Sequence, residues 1–218
     1  MQYHYYLYGM RVTADLDFVQ LDPVRLPEDD RDFGREKVRI RAMDEEEEAQ
    51  FRKEHGDCVC GSFLGTEKGW LCNRTLAMSV ERGQVIRYHI RKGGDPGAVR
   101  TYLLGFGIAM LSLQQGKLPI HCSALATPEG GAILIAGESG AGKSTLTAEL
   151  LKRGYRFLAD DMAVVDISGK EGVWVYPAFP YMKLCRDVVL RQGYPPEELL
   201  YIDLSLIHIS EPTRLRCI

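Results

Sequence analysis

The amino-acid sequence predicts an α/β protein in which a β-rich region precedes a unit of alternating strands and helices. In the first part, short runs of β-forming residues at 38–42, 75–80 and 84–90 are separated by glycine and charged residues, as in a sheet with tight connections. In the second part, the strand-like run 132–136 leads into a glycine-rich loop and a helical segment, and 156–159 follows as another strand. This alternation is the pattern of an α/β fold.

The composition indicates a globular chain without a bias toward nucleic acid. Of 218 residues, 45% are hydrophobic and 26% are charged, which supports one large or two small domains and excludes a disordered or fibrous chain. The 27 Lys and Arg residues against 30 Asp and Glu residues give a net charge of −3, so we expect neither a nucleic acid nor a membrane as a partner. The apolar segment 101–115 is too short for a membrane span, and we expect a buried helix there.

The N-terminus and the cysteines favour a reducing compartment. Residues 1–6 lack the basic start and apolar run of a secretory signal, so we expect a cytoplasmic location and mostly free thiols. Cys58, Cys60 and Cys72, with His55 nearby, are residue types that also bind zinc. The first two are spaced more closely than the usual zinc-binding pair, so we favour free thiols over a metal site.

Glycine and proline at 93–97 predict the boundary between a β-rich N-terminal region, 1–97, and a second domain, 98–203. We expect the sheet of the first region to be antiparallel. The five consecutive acids at 44–48 indicate a solvated helix start or loop. Apolar residues at helical spacing in 99–115 predict a helix that packs beneath the sheet of the second domain.

The last fifteen residues differ in character from the rest of the chain. Residues 204–214 resemble the in-frame translation of a transposase adapter used in preparing sequencing libraries. We therefore expect 204–218 to be a non-native, adapter-derived tail. In that case the second domain is truncated at its C-terminal side.

A glycine-rich loop at 137–144 matches the pattern of glycine, four residues, glycine, lysine and serine that binds nucleotide phosphates. Glycines let the backbone N–H groups face phosphate oxygens, a lysine neutralises the β and γ phosphates, and the serine hydroxyl binds magnesium. The helix that follows presents its positive N-terminus to the phosphates. The candidate nucleotide-binding residues are Gly137, Ser139, Gly140, Ala141, Gly142, Lys143, Ser144 and Thr145.

Two adjacent carboxylates, Asp160 and Asp161, follow the strand-like run 156–159. Successive strand residues point to opposite faces, so the two acids are expected to differ in role unless the backbone turns there. One can bind magnesium while the other meets the acceptor. A solvated turn would also carry an Asp-Asp pair, but the upstream phosphate-type loop favours a functional role.

Three stretches of the second domain together resemble the catalytic domain of HPr kinase/phosphorylase. They are the loop 137–144, the end of the predicted helix at 149–154, and Ala-Asp-Asp at 159–161. The stretches His-Cys-Ser-Ala at 121–124 and Ala-Phe-Pro-Tyr-Met-Lys-Leu at 178–184 are similar to HPr-kinase-related proteins found beside peptide-modification genes. The resemblance implies a P-loop sheet like that of phosphoenolpyruvate carboxykinases.

The resemblance also implies roles for single residues. Asp160 corresponds to the general base, and Asp161 with Ser144 to the magnesium ligands, although the division between the two acids is open. His121 corresponds to a phosphate-proximal or proton-handling group; a histidine in a strand is otherwise more often a buried, hydrogen-bonded one.

The resulting expectation is an ATP- and magnesium-dependent serine kinase that acts on HPr-like proteins or a modified peptide, with homo-oligomers known in the resembled family. Two alternatives stay open. One is a small-molecule or carboxykinase-like P-loop kinase, and the other is a non-catalytic ATP-binding switch.

Overall fold

The computed structural model describes residues 1–27, 36–138, 140–168, 172–179, 181–184, 199–202 and 205–209. The chain is mixed α/β and divides into two compact units, Met1–Leu118 and Pro119–Ile218. The division therefore lies about twenty residues after the boundary predicted at 97/98. The segment between the two positions is the helical stretch described below, which belongs to the first unit because its apolar side chains pack on the first unit's sheet.

The first unit is built on a seven-stranded sheet with the strand order β1-β2-β3-β7-β6-β5-β4. The predicted strands at 38–42, 75–80 and 84–90 are confirmed as β3, β6 and β7. The prediction of an antiparallel sheet is wrong at β3, which pairs in parallel with both β2 and β7. The strands are β1 (Tyr3–Leu7), β2 (Met10–Ala14), β3 (Glu36–Ala42), β4 (Gly61–Leu64), β5 (Lys68–Cys72), β6 (Leu76–Glu81) and β7 (Val85–Ile90).

The acidic block forms the start of helix α1 (Glu45–His55), as one of the two expectations for it stated. The Asp44 carboxylate accepts from the Glu47 backbone N–H at 2.9 Å, and the Asp44 N–H donates to the Glu47 carboxylate at 3.1 Å. This capping box, with acids near the positive end of the helix dipole, explains why so charged a sequence forms a helix. A 3-10 helix, Val19–Val24, lies earlier in this unit.

The segment predicted as a helix at 99–115 consists of α2 (Pro96–Tyr102), a π-helical turn (Leu103–Gly107) and α3 (Ile108–Gln114). It packs on the sheet of the first unit, whereas the prediction assigned it to the sheet of the second domain. Gly107 lies so close to the sheet that a Cβ there would be 3.1 Å from Ile86 Cδ1. The segment 101–115, predicted to be too short for a membrane span, overlaps the longer helical run Pro96–Gln114, which by length and composition alone is long and apolar enough to cross a membrane; 44% of its most apolar window is buried.

The described residues of the second unit form three small sheets and one helix. Leu125, Ala148 and Phe157 form a buried cluster where α4 packs on the sheet β10-β9-β11. The strands β8 and β9 follow one another closely in the sequence but belong to different sheets. The other sheets are β13-β12-β8 and β14-β16-β15. The elements are β8 (Leu118–Ile120), β9 (Ser123–Ala126), β10 (Ala132–Ile135), α4 (Lys143–Lys152), β11 (Arg156–Ala159), β12 (Ala163–Asp166), β13 (Trp174–Val175), β14 (Tyr181–Leu184), β15 (Leu199–Ile202) and β16 (Ser205–Ile209).

The cysteines only partly follow the prediction of free thiols. Cys58 and Cys72 form a disulfide, whereas Cys60 and Cys122 are free. The pairing arises because the approach to β4 lies beside the end of β5, and this long-range proximity is invisible in the cysteine spacing. Cys185 and Cys217 lie outside the described residues.

Candidate functional site

The sequence-predicted site residues that the structure describes meet at one edge of the sheet β10-β9-β11. Both outer strands pair antiparallel with β9, so β10 and β11 run in the same direction and end at the same edge. β10 delivers the loop at that edge, and β11 delivers Asp160 and Asp161. β9 begins there, because Ser123 lies opposite Ile135. The strand ends therefore bring together three stretches that are up to 40 residues apart in the sequence.

The glycine-rich loop depends on left-handed backbone conformations. Gly140 and Gly142 have φ values of 81° and 88°, which residues with a Cβ rarely adopt. Gly142 is the N-cap of α4, and the helix begins at Lys143. The Lys143 ammonium folds back over the loop, donating to the carbonyl oxygens of Gly137 at 2.8 Å and Glu138 at 3.0 Å. The loop lysine is therefore held at the mouth of the loop by neutral acceptors.

The first turn of α4 carries the remaining candidate phosphate-binding groups. Ser144 is half-buried and Thr145 is exposed. The Thr147 hydroxyl donates to the Lys143 carbonyl at 2.9 Å, which fixes the start of the helix against the core. The backbone N–H groups of a first helical turn have no partner within the helix and favour anions. Ser139 lies outside the described residues.

Asp160 is buried, with 7% of its surface exposed, at the end of β11. Its Oδ1 accepts a hydrogen bond of 2.5 Å from the Ser123 hydroxyl, which is itself 1% exposed. A buried carboxylate needs such donors, because desolvation of an ionised group is costly. Ser123 was not predicted as a site residue. The signal for it is a hydroxyl in the otherwise apolar strand β9, whose four residues are all buried.

Asp161 differs from Asp160 in both exposure and backbone. Its side chain is 55% exposed, and its φ of 66° places it in the left-handed region. The backbone thus turns at the second aspartate, which is the exception that the sequence analysis allowed for, so strand alternation does not explain why the two adjacent carboxylates differ in environment. The His121 ring meets Asp161 twice, with Nδ1 2.7 Å from the backbone oxygen and 3.4 Å from Oδ1. Because a carbonyl only accepts, Nδ1 carries the hydrogen of this bond.

Cys122 lies between His121 and Ser123 but faces the core. Burial raises the pKa of its thiol, and the nearby Asp160 carboxylate raises it further, while a hydrogen bond from the Ala163 backbone N–H opposes both effects. The thiol is therefore held in its protonated form. It supplies no thiolate to the site.

Carboxylate and hydroxyl oxygens are the ligands that magnesium prefers, and Ser144 and Asp161 offer both. Within the described ranges, no three His, Cys, Asp or Glu side chains are grouped closely enough to hold a metal by themselves. A magnesium ion at this edge would therefore take further ligands from water and from a bound phosphate, as is usual for this ion.

Comparison with known proteins relates this part of the chain to one family. Residues 118–177 match the family model of the HPr Serine kinase C-terminal domain. Over 49 residues the chain is 47% identical to HPr kinase/phosphorylase from Streptococcus salivarius, and the same values hold for the enzymes named so from Streptococcus pyogenes serotype M5 and Streptococcus uberis. The match covers 22% of this chain and 16% of each relative. No solved structure matches the chain.

Proposed function

We propose, on the basis of this relation to the HPr kinase family, that the chain is an ATP-dependent phosphotransferase that acts on a serine hydroxyl of a protein or peptide. The observation that carries the proposal is the meeting, at one sheet edge, of a lysine-bearing glycine loop and a buried aspartate. Phosphoryl transfer requires a cradle for the phosphates and a group that receives the hydroxyl proton. In this proposal the loop supplies the phosphate cradle, and the buried aspartate supplies the proton acceptor.

The loop and the first turn of α4 would bind the nucleotide phosphates. Among the described residues, the Lys143 ammonium is held only by two backbone carbonyls, and it can exchange these for phosphate oxygens without breaking an ion pair with any of them. Such an exchange places a full positive charge where negative charge is spread over the transferred group. The proposed phosphate-binding residues are Gly137, Ser139, Gly140, Ala141, Gly142, Lys143, Ser144 and Thr145.

Ser144 and Asp161 are the proposed magnesium ligands. Magnesium supplies charge neutralisation between the terminal phosphates. The Asp161 side chain is 55% exposed, and the backbone turns at this residue. The carboxylate is therefore accessible to solvent and would be accessible to a bound nucleotide. His121 fixes this turn through its bond to the Asp161 carbonyl oxygen, and its Nε2 is the ring nitrogen left for contact with a phosphate or a proton.

Asp160 is the proposed general base. The Ser123 hydroxyl holds Oδ1, which orients the carboxylate in a site sheltered from bulk water. The acceptor's serine hydroxyl would give its proton to this carboxylate as its oxygen attacks the γ-phosphorus, while the bond from that phosphorus to the bridging oxygen breaks and ADP leaves with the electron pair. Positioning and fixed charges supply the catalysis, and the chain forms no covalent intermediate in this scheme.

The test is transfer of label from γ-labelled ATP to HPr or to a serine-ending peptide in the presence of magnesium. We expect labelled serine with the unaltered chain and none with Asp160→Asn, which keeps the side-chain shape but removes the base. Retention of transfer by Asp160→Asn would exclude Asp160 as the base.

Two other outcomes would replace the proposal with an alternative. ATP binding with no labelled protein or peptide, but with turnover stimulated by a metabolite, would assign a small-molecule kinase. Tight ATP binding with no transfer to any acceptor would assign a non-catalytic switch.

A further inference from the structure

A groove of about 600 Å³ lies in the first unit between helix α1 and the hairpin β4–β5. None of the residues assigned to nucleotide or acceptor chemistry lines it. Four aromatic side chains form its wall, which we call the aromatic wall: Phe51, His55, Phe63 and Trp70.

The aromatic wall is ordered by ring contacts. The His55 ring lies 4.4 Å from the Trp70 ring and is tilted by 33°, and the Phe51 ring lies 4.5 Å from His55. Gly61 on β4 permits this packing, because a Cβ there would be 3.2 Å from Trp70 Cη2. Trp70 itself stays partly exposed. The packing of these rings on one another therefore holds the aromatic faces in place, and part of the Trp70 face is exposed to solvent.

Carboxylates surround the aromatic wall. The lining includes two more glutamates than lysines and arginines. Arg87 pairs with Glu47 and Glu81, at 2.8 and 2.9 Å, and Arg41 also pairs with Glu47, so two cations neutralise these two carboxylates. Within the described part of the chain, Glu46 makes no ion pair or hydrogen bond, and Glu54 accepts only from Gln50 and lies 3.8 Å from His55. Lys68 also lines the groove, but the glutamates outnumber the cations, so the groove combines a net negative charge with aromatic faces, which are the two features that bind an organic cation.

The groove opens onto the free edge of the sheet. β4 is the last strand in the order β1-β2-β3-β7-β6-β5-β4, and within the described ranges no strand pairs with its outer side. Its side chains Phe63 and Leu64 are 56% and 43% exposed, and the nearby Val59 is 57% exposed. Proteins normally protect such edges with charge, proline or a covering segment. An exposed apolar edge beside a groove is the arrangement used for binding an extended peptide by strand addition.

We propose that this groove binds an extended peptide segment that carries a lysine or arginine side chain. The peptide backbone pairs with the free edge of β4, and the cationic side chain lies against Trp70 with Glu46 and Glu54 as its counter-charges. The charge of the groove selects a basic segment over an acidic one. The inference does not require that the chain transfers phosphate, so it is tested without nucleotide and can fail independently of the proposed function.

Binding is measured by the fluorescence of Trp70 in the full chain carrying Trp174→Phe, which leaves Trp70 as its sole tryptophan. The probe is a capped seven-residue peptide of alternating threonine and valine with a central lysine. The matched peptides carry norleucine or glutamate in place of the lysine. We expect saturable quenching or shift with the lysine peptide, about fivefold weaker binding with norleucine, and none with glutamate.

Two variants separate charge recognition from a general effect on α1. Glu46→Gln with Glu54→Gln should weaken lysine-peptide binding about tenfold, because both counter-charges are removed. Glu45→Gln, on the same exposed first turn but outside the groove, should leave it unchanged. Equal binding of the lysine and norleucine peptides would overturn the proposal. So would self-association of the chain through β4 that no peptide displaces, detected by sedimentation.

Discussion

The hydroxyl of Ser123 donates a hydrogen bond to Oδ1 of Asp160, and both residues are more than nine-tenths buried. The two lie 37 residues apart in sequence, one at the start of β9 and the other just after β11. The bond joins the start of β9 to the end of β11, which is the strand that precedes the proposed base. It gives Ser123 a positioning role in the candidate site.

Replacing Ser123 by alanine removes this donor and leaves the Asp160 carboxylate with less support. We expect phosphoryl transfer to fall about tenfold, while ATP affinity stays within about twofold of that of the unaltered chain. The free energy of unfolding of the second unit should fall by about 1 to 2 kcal/mol. Single-turnover transfer, nucleotide titration and urea unfolding measure the three quantities.

Ser112→Ala is the matched control for this change. Ser112 is also fully buried, but within the described ranges its hydroxyl has no hydrogen-bond partner. Removing an unsatisfied hydroxyl is neutral or stabilising. If Ser123→Ala behaves like Ser112→Ala in all three measurements, the positioning role of Ser123 is wrong.

Lys143→Ala should abolish tight ATP binding. The ammonium now lies over the loop carbonyls of Gly137 and Glu138, where a phosphate would attract it more strongly than two neutral oxygens do. We expect ATP affinity to fall by at least about tenfold in a calorimetric titration. Lys152→Ala, at the other end of α4, should bind ATP normally. Equal affinity of both variants would remove Lys143 from the phosphate site.

The parts of the fold that the sequence predicted are those determined by local pattern. The predicted strands at 132–136 and 156–159 correspond to β10 and β11, because apolar β-forming residues are bounded there by glycine and charge. The glycine-rich loop is predicted by the spacing of its glycines, lysine and serine, and in the structure its glycines adopt left-handed conformations next to a helix start. The roles of Asp160 and Asp161 stay predictions, although their different exposure agrees with different environments.

The features that the sequence did not predict depend on long-range contacts. The parallel pairing of β3 with β2 and β7 follows from the path of the chain, and short β runs carry no mark of strand direction. The helical segment at 96–114 has an apolar face that suits either sheet, so periodicity alone could not assign it to the first unit. The Cys58–Cys72 disulfide likewise needs the β4–β5 pairing to be known first.

Substitutions of Asp161 should separate its backbone role from its carboxylate role. At a φ of 66°, asparagine and glycine are tolerated, whereas alanine costs about 1 kcal/mol. We expect Asp161→Asn to keep the thermal stability of the unaltered chain but to lose magnesium-dependent transfer. Asp161→Ala should lose both stability and transfer. Full magnesium-dependent activity of Asp161→Asn would exclude this carboxylate as a metal ligand.

We expect the first unit to become less stable as the pH falls, because protonation of Glu47 removes a stabilising interaction. Hydrogen bonds from Arg41 lower the pKa of Glu47 to about 2, with further lowering from the Asp44 N–H and Arg87 and an opposing effect of burial. A carboxyl whose folded pKa lies below its unfolded value of about 4.5 stabilises the fold above that pH, and the contribution disappears as the pH falls toward about 2. Urea unfolding followed by Trp70 fluorescence in the Trp174→Phe chain reports on this unit.

We expect Glu47→Gln to lower the free energy of unfolding by about 1 to 2 kcal/mol at pH 7, and the difference from the unaltered chain to shrink between pH 4.5 and pH 2. Glu67→Gln is the control, because Glu67 pairs with Arg82 at 3.2 Å while both side chains are more than 70% exposed. Such an exposed pair contributes little, so its removal should change neither the stability nor its pH dependence. A Glu47→Gln difference that persists unchanged at pH 2 would show that its effect comes from packing and not from charge.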